Sequence, residues 1–445
     1  MKRIIYILLS VCMFLCLAAC HKNIVQPQVS ESIDTAQGQT PPESSPETEH
    51  QATTEATEIH KCDDIDKIRP LTLEKALHSY YEWADDLPQA LVRSEHSCVT
   101  LGQEEADTFP EMAEVLRQIA TMQENTMLDE FDNLVSIAGE VLDWDRGGFE
   151  TYVSTLDVQV RRADSLVISL LADSYSDYGQ IENYRVLHGS NYDTQSGREL
   201  ALNDVVDVNN DLALAVQKEL TGHMWTGEFY SESTVEDYFA NTPYDGFSWT
   251  LDYTGVTFYF APGELCDGGA MTATVSFAEY PELFYEKYMA VPAEYMVELP
   301  LNISFFTELD ADSALEEISV SGWYDEERNH YLGYGVYSDT DAQYYYEECY
   351  VYDFHPYYVR AASGHYLYLF CEDFDEGIRQ MRLIVLSLNE DGSVTKSCEG
   401  NVSPSWLADN KFIVPTNPER LILDDTDNGA EKMVYTVGNN GMLSK

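Results

Sequence analysis

Apolar residues recur along this chain at two different periods, and the period changes more than once. Between residues 110 and 148 it is helical. Met112, Val115, Leu116, Ile119, Met122, Leu128, Phe131, Leu134, Val135 and Leu142 fall at spacings of three, four and seven, with slips. The pattern starts after Pro110 and stops at Gly147-Gly148. A shorter helix is predicted upstream, capped by Thr72 and carrying Leu73, Leu77, Tyr80 and Tyr81. From Tyr152 to Tyr175 the period becomes two, with Val158 and Val160 followed by the apolar run 166–171. Further strands are predicted at Tyr184–Tyr192, Glu199–Leu202, Trp249–Phe260 and Met271–Phe277. Among them lies a helix capped by Asn209, with Leu212, Ala213, Val216 and Leu220 inward. From Leu299 onward the chain reads as nearly all β, as in the alternation of Tyr366 to Phe370.

The first sixty residues follow neither period. Lys2 and Arg3 precede an apolar run from Ile4 to Leu17, which ends at Leu17-Ala18-Ala19-Cys20. The run is too short for a membrane span and has the layout of a secretory signal, residues 1–19. A small-residue site ending in Cys resembles the bacterial lipobox. The resemblance implies cleavage before Cys20, a diacylglyceryl group on its thiol and a lipid anchor on the extracytoplasmic face of the cell membrane. Two acyl chains hold a protein stably where one holds it marginally. An ordinary signal with an incidental Cys is the plainer alternative. Residues 20–61 then read as a disordered tether. No Phe, Trp or Tyr occurs from His21 to Ser79, and such a segment buries too little apolar area to offset chain entropy. About forty such residues span roughly 35 Å as a coil.

Charge narrows the partners. The 25 Lys and Arg stand against 78 Asp and Glu, a formal charge of −53; loss of Lys2 and Arg3 with the signal makes it −55. Such a surface repels nucleic acid and anionic headgroups. It attracts metal ions and basic proteins, and it also serves plain solubility. Of nine cysteines, Cys12 and Cys16 leave with the signal and Cys20 takes the lipid. Cys62, Cys98, Cys266, Cys349, Cys371 and Cys398 remain. An even number in an exported chain permits disulfides without giving their pairing, and buried thiols are the alternative.

Three blocks in the middle of the chain look familiar together. They are Arg162 to Leu171, Asn191 to Val205 and Gly255 to Leu265. In this order they resemble the extracellular domain of RsiV-like anti-sigma factors. Relatives of that domain also precede a peptidoglycan deacetylase domain and occur in lipoproteins of unknown role. The match covers residues 62–299. It implies an α+β fold, and in its best-understood members the binding of a cationic lysozyme outside the cell. Those members carry a Gly-rich loop where Tyr178 to Tyr184 has one Gly here. A cytosolic sigma-binding segment is absent too, so anti-sigma activity is not expected. The residues themselves form no catalytic set and read as fold-specifying. In Asp193 to Gly197, Asp and Ser bond their own backbone and Gly tolerates positive φ. The expected fold class is therefore α+β over 62–299, followed by a mostly β domain over 300–445.

That C-terminal region contains an acidic repeat. Asp310-Ala-Asp312, Asp373-Phe-Asp375 and Asp425-Thr-Asp427 each precede an apolar pair, eight and ten residues after the first Asp, and each follows an apolar stretch. Three β-units, each a hairpin around an acidic loop, are the simplest reading. Asp-x-Asp also opens many calcium loops, where alternate carboxylates converge on one hard cation. Calcium held by Asp310, Asp312, Asp373, Asp375, Asp425 and Asp427 is thus one reading, and solvated turns the other, since no unit has Glu at its twelfth position. Tyr344, Tyr345, Tyr346, Tyr350, Tyr352, Tyr357 and Tyr358 are either sheet residues, which aromatics favour, or a platform for stacking on sugars. Tyrosines exposed on one sheet face would separate the two.

Motifs of hydrolytic serine, zinc, P-loop and dinucleotide chemistry are missing, and ten His residues are scattered without ligand spacing. The expectation is a non-catalytic binding or sensing module at the cell surface, for a cationic muramidase-like protein or a cell-wall glycan. A cell-wall hydrolase or deacetylase with a dispersed site competes with it, and a purely structural lipoprotein is the third reading.

Overall fold

Strands make up 49% of the described residues and helices 22%. The fold of the described residues is therefore predominantly β, which corrects the α+β class expected for the chain. The computed structural model describes residues 68–445, apart from 86, 145, 180–183, 209, 224–228, 232, 268, 311, 313, 326–327, 329, 339–342, 376–377, 409 and 426–430. Contacts separate Met1–Lys61 from Cys62–Lys445. Cys20 and the tether lie outside the described residues, as do Asn209 and Asp427.

Part of the correction falls at the start of the folded unit. Residues 73–81 have helical spacing, yet β1 (Leu73–Trp83) is a strand. It pairs antiparallel with β2 (Ala90–Leu101) on one side and with Lys411–Val414 on the other. Ladder bonds along both edges outweigh a local helical preference. Alternation also turns Lys75 inward, where its Nζ lies 2.8 Å from Asp157 and 2.9 Å from Glu298. After β2 come α1 (Gln103–Thr108) and the long α2 (Pro110–Trp144), where the helical period predicted one. α2 lies against β2 and buries Met112, Leu116, Met127, Leu134, Ala138 and Leu142. β3 (Tyr152–Ala163) then runs parallel to β2; a parallel neighbour needs such a crossover. β4 (Val167–Asp177) and β5 (Tyr184–Asp193) extend the sheet antiparallel.

Next come α3 (Asn210–His223), with Leu212, Ala213, Val216 and Leu220 buried, and α4 (Thr234–Asn241). They pack with a small antiparallel sheet of β6 (Trp249–Leu251), β7 (Gly255–Phe260) and β8 (Met271–Ser276) around one apolar cluster. α5 (Glu286–Met289) leads to β9 (Tyr295–Glu298).

The rest is β. A four-stranded antiparallel sheet has the order β10 (Phe305–Thr307), β11 (Glu316–Asp325), β12 (His330–Ser338), β13 (Gln343–Val351). β14 (Asp353–Ala361), β15 (Gly364–Asp375), β16 (Ile378–Leu388) and β17 (Val394–Gly400) form a five-stranded sheet with β9 at its edge. β18 (Val402–Pro404), β19 (Lys411–Val414), β20 (Leu421–Asp425), β21 (Glu431–Val437) and β22 (Leu443–Ser444) end the chain. β19 joins the first sheet beside β1, and the other four form their own. The boundary expected after residue 299 thus falls between β9 and β10, and chain from both sides of it shares two sheets. One apolar cluster correspondingly runs from Leu71 and Leu73 to Tyr435 and Val437.

The first two blocks behind the resemblance carry buried and turn-forming polar contacts. Arg162 donates from Nε to Asp164 (2.7 Å) and from Nη1 and Nη2 to the carbonyls of Tyr288 and Ala290. Asp164 also accepts the Leu166 and Val167 amides at 2.8 and 2.9 Å. Asn191 accepts the Leu251 amide and donates to the Trp249 carbonyl. In the turn after β5, Asp193 Oδ1 accepts the Ser196 amide at 3.0 Å and Gly197 adopts φ +65°. Buried charges and amides are tolerated when paired in this way.

Candidate functional site

Strand pleating sends every second residue of the four-stranded sheet to its outer face. Register places these in three rows across β11, β12 and β13: Ser319, Tyr337 and Tyr344; Ser321, Gly335 and Tyr346; Trp323, Gly333 and Glu348. Tyr350 continues the face along β13. Trp323, Tyr344, Tyr346 and Tyr350 are 40%, 55%, 50% and 61% exposed. Tyr357 and Tyr358 on β14 are fully buried, and Tyr345 points inward. The tyrosine-rich stretch therefore divides into core residues and one outward aromatic face.

The two glycines shape that face. A Cβ on Gly335 would lie 2.4 Å from the Tyr344 hydroxyl and 2.9 Å from the tip of the Trp323 indole. One on Gly333 would lie 3.2 Å from the Tyr346 ring. Rings from both flanking strands thus close over the bare backbone of β12, a known way of covering strand glycines. Trp323 and Tyr346 meet edge to face with centroids 4.8 Å apart. Below them Glu347 accepts the hydroxyls of Tyr334 (2.8 Å) and Tyr345 (2.7 Å) and the Lys396 ammonium (2.8 Å). Burial alone would raise the Glu347 carboxyl, but Lys396 and the two hydroxyls outweigh it and hold it below the usual range. β13 is pinned from inside while its outer rings stay open to solvent.

The acidic repeat forms three hairpins in three separate sheets: β10–β11, β15–β16 and β20–β21. In the first, Asp310, Asp312 and Glu316 bring carboxylate oxygens within 4.8 Å of one another. Asp310 also accepts the Asp312 amide (3.1 Å), and Asp312 accepts the Ala314 amide (2.8 Å). Both aspartates therefore serve the turn as well. Glu316 accepts the Leu309 amide, and burial pushes its carboxyl up to about 7. In the second hairpin Asp373 lies 4.0 Å from the His330 imidazole, and the Asp375 side chain lies outside the described residues. In the third, Asp425 is buried and accepts the Lys445 ammonium at 2.8 Å. Among the described residues only the first hairpin gathers acids closely enough to share a cation. Sequence reading missed Glu316, which sits on a strand outside the Asp-x-Asp pattern. It also missed Gly333 and Gly335, although Gly-Tyr-Gly inside an aromatic strand run was the available signal.

No family model matches the chain, and no curated protein matches it. Solved structures that resemble part of it include two of the same family. One is a member of the DUF3298 family from Bacteroides fragilis, with 11% identity and a TM-score of 0.36 over 50% of this chain and 94% of that one. The other is a DUF3298 family protein from Pseudomonas aeruginosa, with 13% identity and a TM-score of 0.32 over 51% of this chain and 100% of that one. The structural neighbours are thus proteins of a domain family of unknown function.

Proposed function

We propose that this chain is a lipid-anchored surface module that binds a cell-wall glycan, without catalysis, on the outer aromatic face of β11–β13. The observation that carries the reading is the set of exposed rings, Trp323, Tyr344, Tyr346 and Tyr350, on one sheet face. The apolar C–H faces of sugar rings stack on such surfaces, and aromatic anchors dominate binding energy where they cluster. The lipobox at Cys20 and the RsiV-like blocks support a place outside the membrane. A cationic muramidase-like protein is the second reading, favoured by the charge of −53. Binding of the full chain to lysozyme and to purified peptidoglycan at low and high salt tests both. A glycan held by stacking stays bound at high salt, whereas a cationic partner steered by charge is released. Turnover of muropeptides without retention of either ligand overturns the binding module in favour of a hydrolase or deacetylase.

A further inference from the structure

Cys349 and Cys371 belong to the same apolar cluster, between the sheet of β10–β13 and the sheet of β14–β17. Cys349 is on the inner face of β13, beneath the aromatic rings, and Cys371 is on β15. Two independent contacts fix their neighbourhood. The Tyr352 amide just after β13 donates to the Glu372 carbonyl at 2.8 Å, which sets the end of β13 beside β15. Arg382 is the cross-strand partner of Cys371 on β16, and its Nη2 lies 3.1 Å from Cys349 Sγ. One guanidinium therefore touches one cysteine from the backbone position opposite the other. Both cysteines face the same apolar layer, and Arg382 spans the step from one to the other.

We infer that Cys349 and Cys371 are a disulfide-forming pair that ties β13 to the neighbouring sheet, with Cys349 as the attacking sulfur. The roles follow from their surroundings. The thiolate is the nucleophile in exchange. The Cys371 thiol donating to Cys349, and then the Arg382 charge, hold Cys349 below the usual thiol range; the same contact and burial push Cys371 well up. The Arg382 side chain is about a third exposed, so its end of the pair is the approach from solvent. The oxidant is a small or protein disulfide, RSSR. The Cys349 thiolate attacks one of its sulfurs, an S–S bond to R forms, and RS⁻ leaves. Cys371 then loses its proton and attacks Cys349 Sγ, expelling the second RS⁻. Two protein thiols are oxidised and RSSR is reduced to two RSH, which carry off both protons.

The test is to oxidise the reduced full chain with glutathione disulfide, alkylate, digest without reductant and weigh the peptides. The expected product is a linked peptide pair containing Cys349 and Cys371, two hydrogens lighter than the reduced pair. Cys371→Ser should accumulate glutathione on Cys349, and Cys349→Ser should leave Cys371 as a free thiol. Arg382→Gln should slow the first step about threefold for each unit by which it raises the thiol pKa, after the offsetting gain in nucleophilicity. Full alkylation of both cysteines in the wild-type chain, under conditions that oxidise an exposed control thiol, overturns the pair. Glutathione on Cys371 in Cys349→Ser, with none on Cys349 in Cys371→Ser, overturns the assignment of roles. The wild-type peptide map decides the pairing even if a variant fails to fold.

Discussion

Arg161 and Asp252 form a buried ion pair at 2.9 Å, and Asp252 also takes the hydroxyls of Thr250 (2.9 Å) and Thr257 (2.8 Å). Removing one partner leaves the other charge buried, which typically costs about 3–5 kcal/mol. Arg161→Met is therefore expected to lower unfolding stability by about that much in urea titration; a loss under about 1 kcal/mol would contradict this. Glu316 makes a pH prediction. With its carboxyl raised to about 7, the folded state keeps a proton that the unfolded chain gives up in the ordinary carboxyl range. That contribution is whole at low pH and is lost as pH rises through about 7. Tm should fall over this window, and Glu316→Gln should flatten the slope. If Asp310, Asp312 and Glu316 share calcium, added calcium raises Tm above pH 7, and Asp310→Asn with Asp312→Asn removes the gain. No calcium shift in the wild-type chain leaves the aspartates as turn formers.

Among the elements, α2 covers an unusually polar patch of β2. His96 is buried there with no hydrogen-bond partner at either ring nitrogen among the described residues. It stacks on His78 at 4.6 Å, and Tyr80 links it to Phe131 of α2. Burial first, and His78 second, lower it to about 4. Its contribution is present above about 6.5 and is lost as pH falls through 4. Glu130 on α2, raised by burial, acts in the opposite sense, so the difference between wild type and His96→Leu isolates the histidine. Hydrogen exchange of α2 amides, corrected for intrinsic rates, should lose protection on going from pH 7 to 4.5 more in the wild type than in His96→Leu. Equal losses would remove His96 from the account. α2 itself was legible in sequence because one face of a helix meets one sheet. β1 was not, because its second neighbour, Lys411–Val414, comes from the far end of the chain and leaves no local trace. The aromatic face was half legible: tyrosine density marked the region, but only register separates Tyr344 and Tyr346 from Tyr357 and Tyr358.

At the scale of the whole molecule, the proposed lipid anchor precedes a β-rich unit whose β11–β13 sheet presents an open aromatic face. The lipid expectation is tested by Cys20→Ala, which should move the protein from the membrane to the soluble fraction; a variant that stays fully membrane-bound refutes the anchor. The formal charge of −53 opposes the approach of nucleic acid and anionic lipid. Stacking is what remains for a neutral glycan, and it depends on few rings. The most direct measurement is the affinity of the full chain for soluble peptidoglycan fragments, compared with Trp323→Ala and Tyr346→Ala after confirming unchanged melting. Each substitution is expected to weaken binding about tenfold or more, on the order of 1–2 kcal/mol, with little dependence on salt. Equal affinity in all three proteins, or no affinity in the wild type, would contradict it.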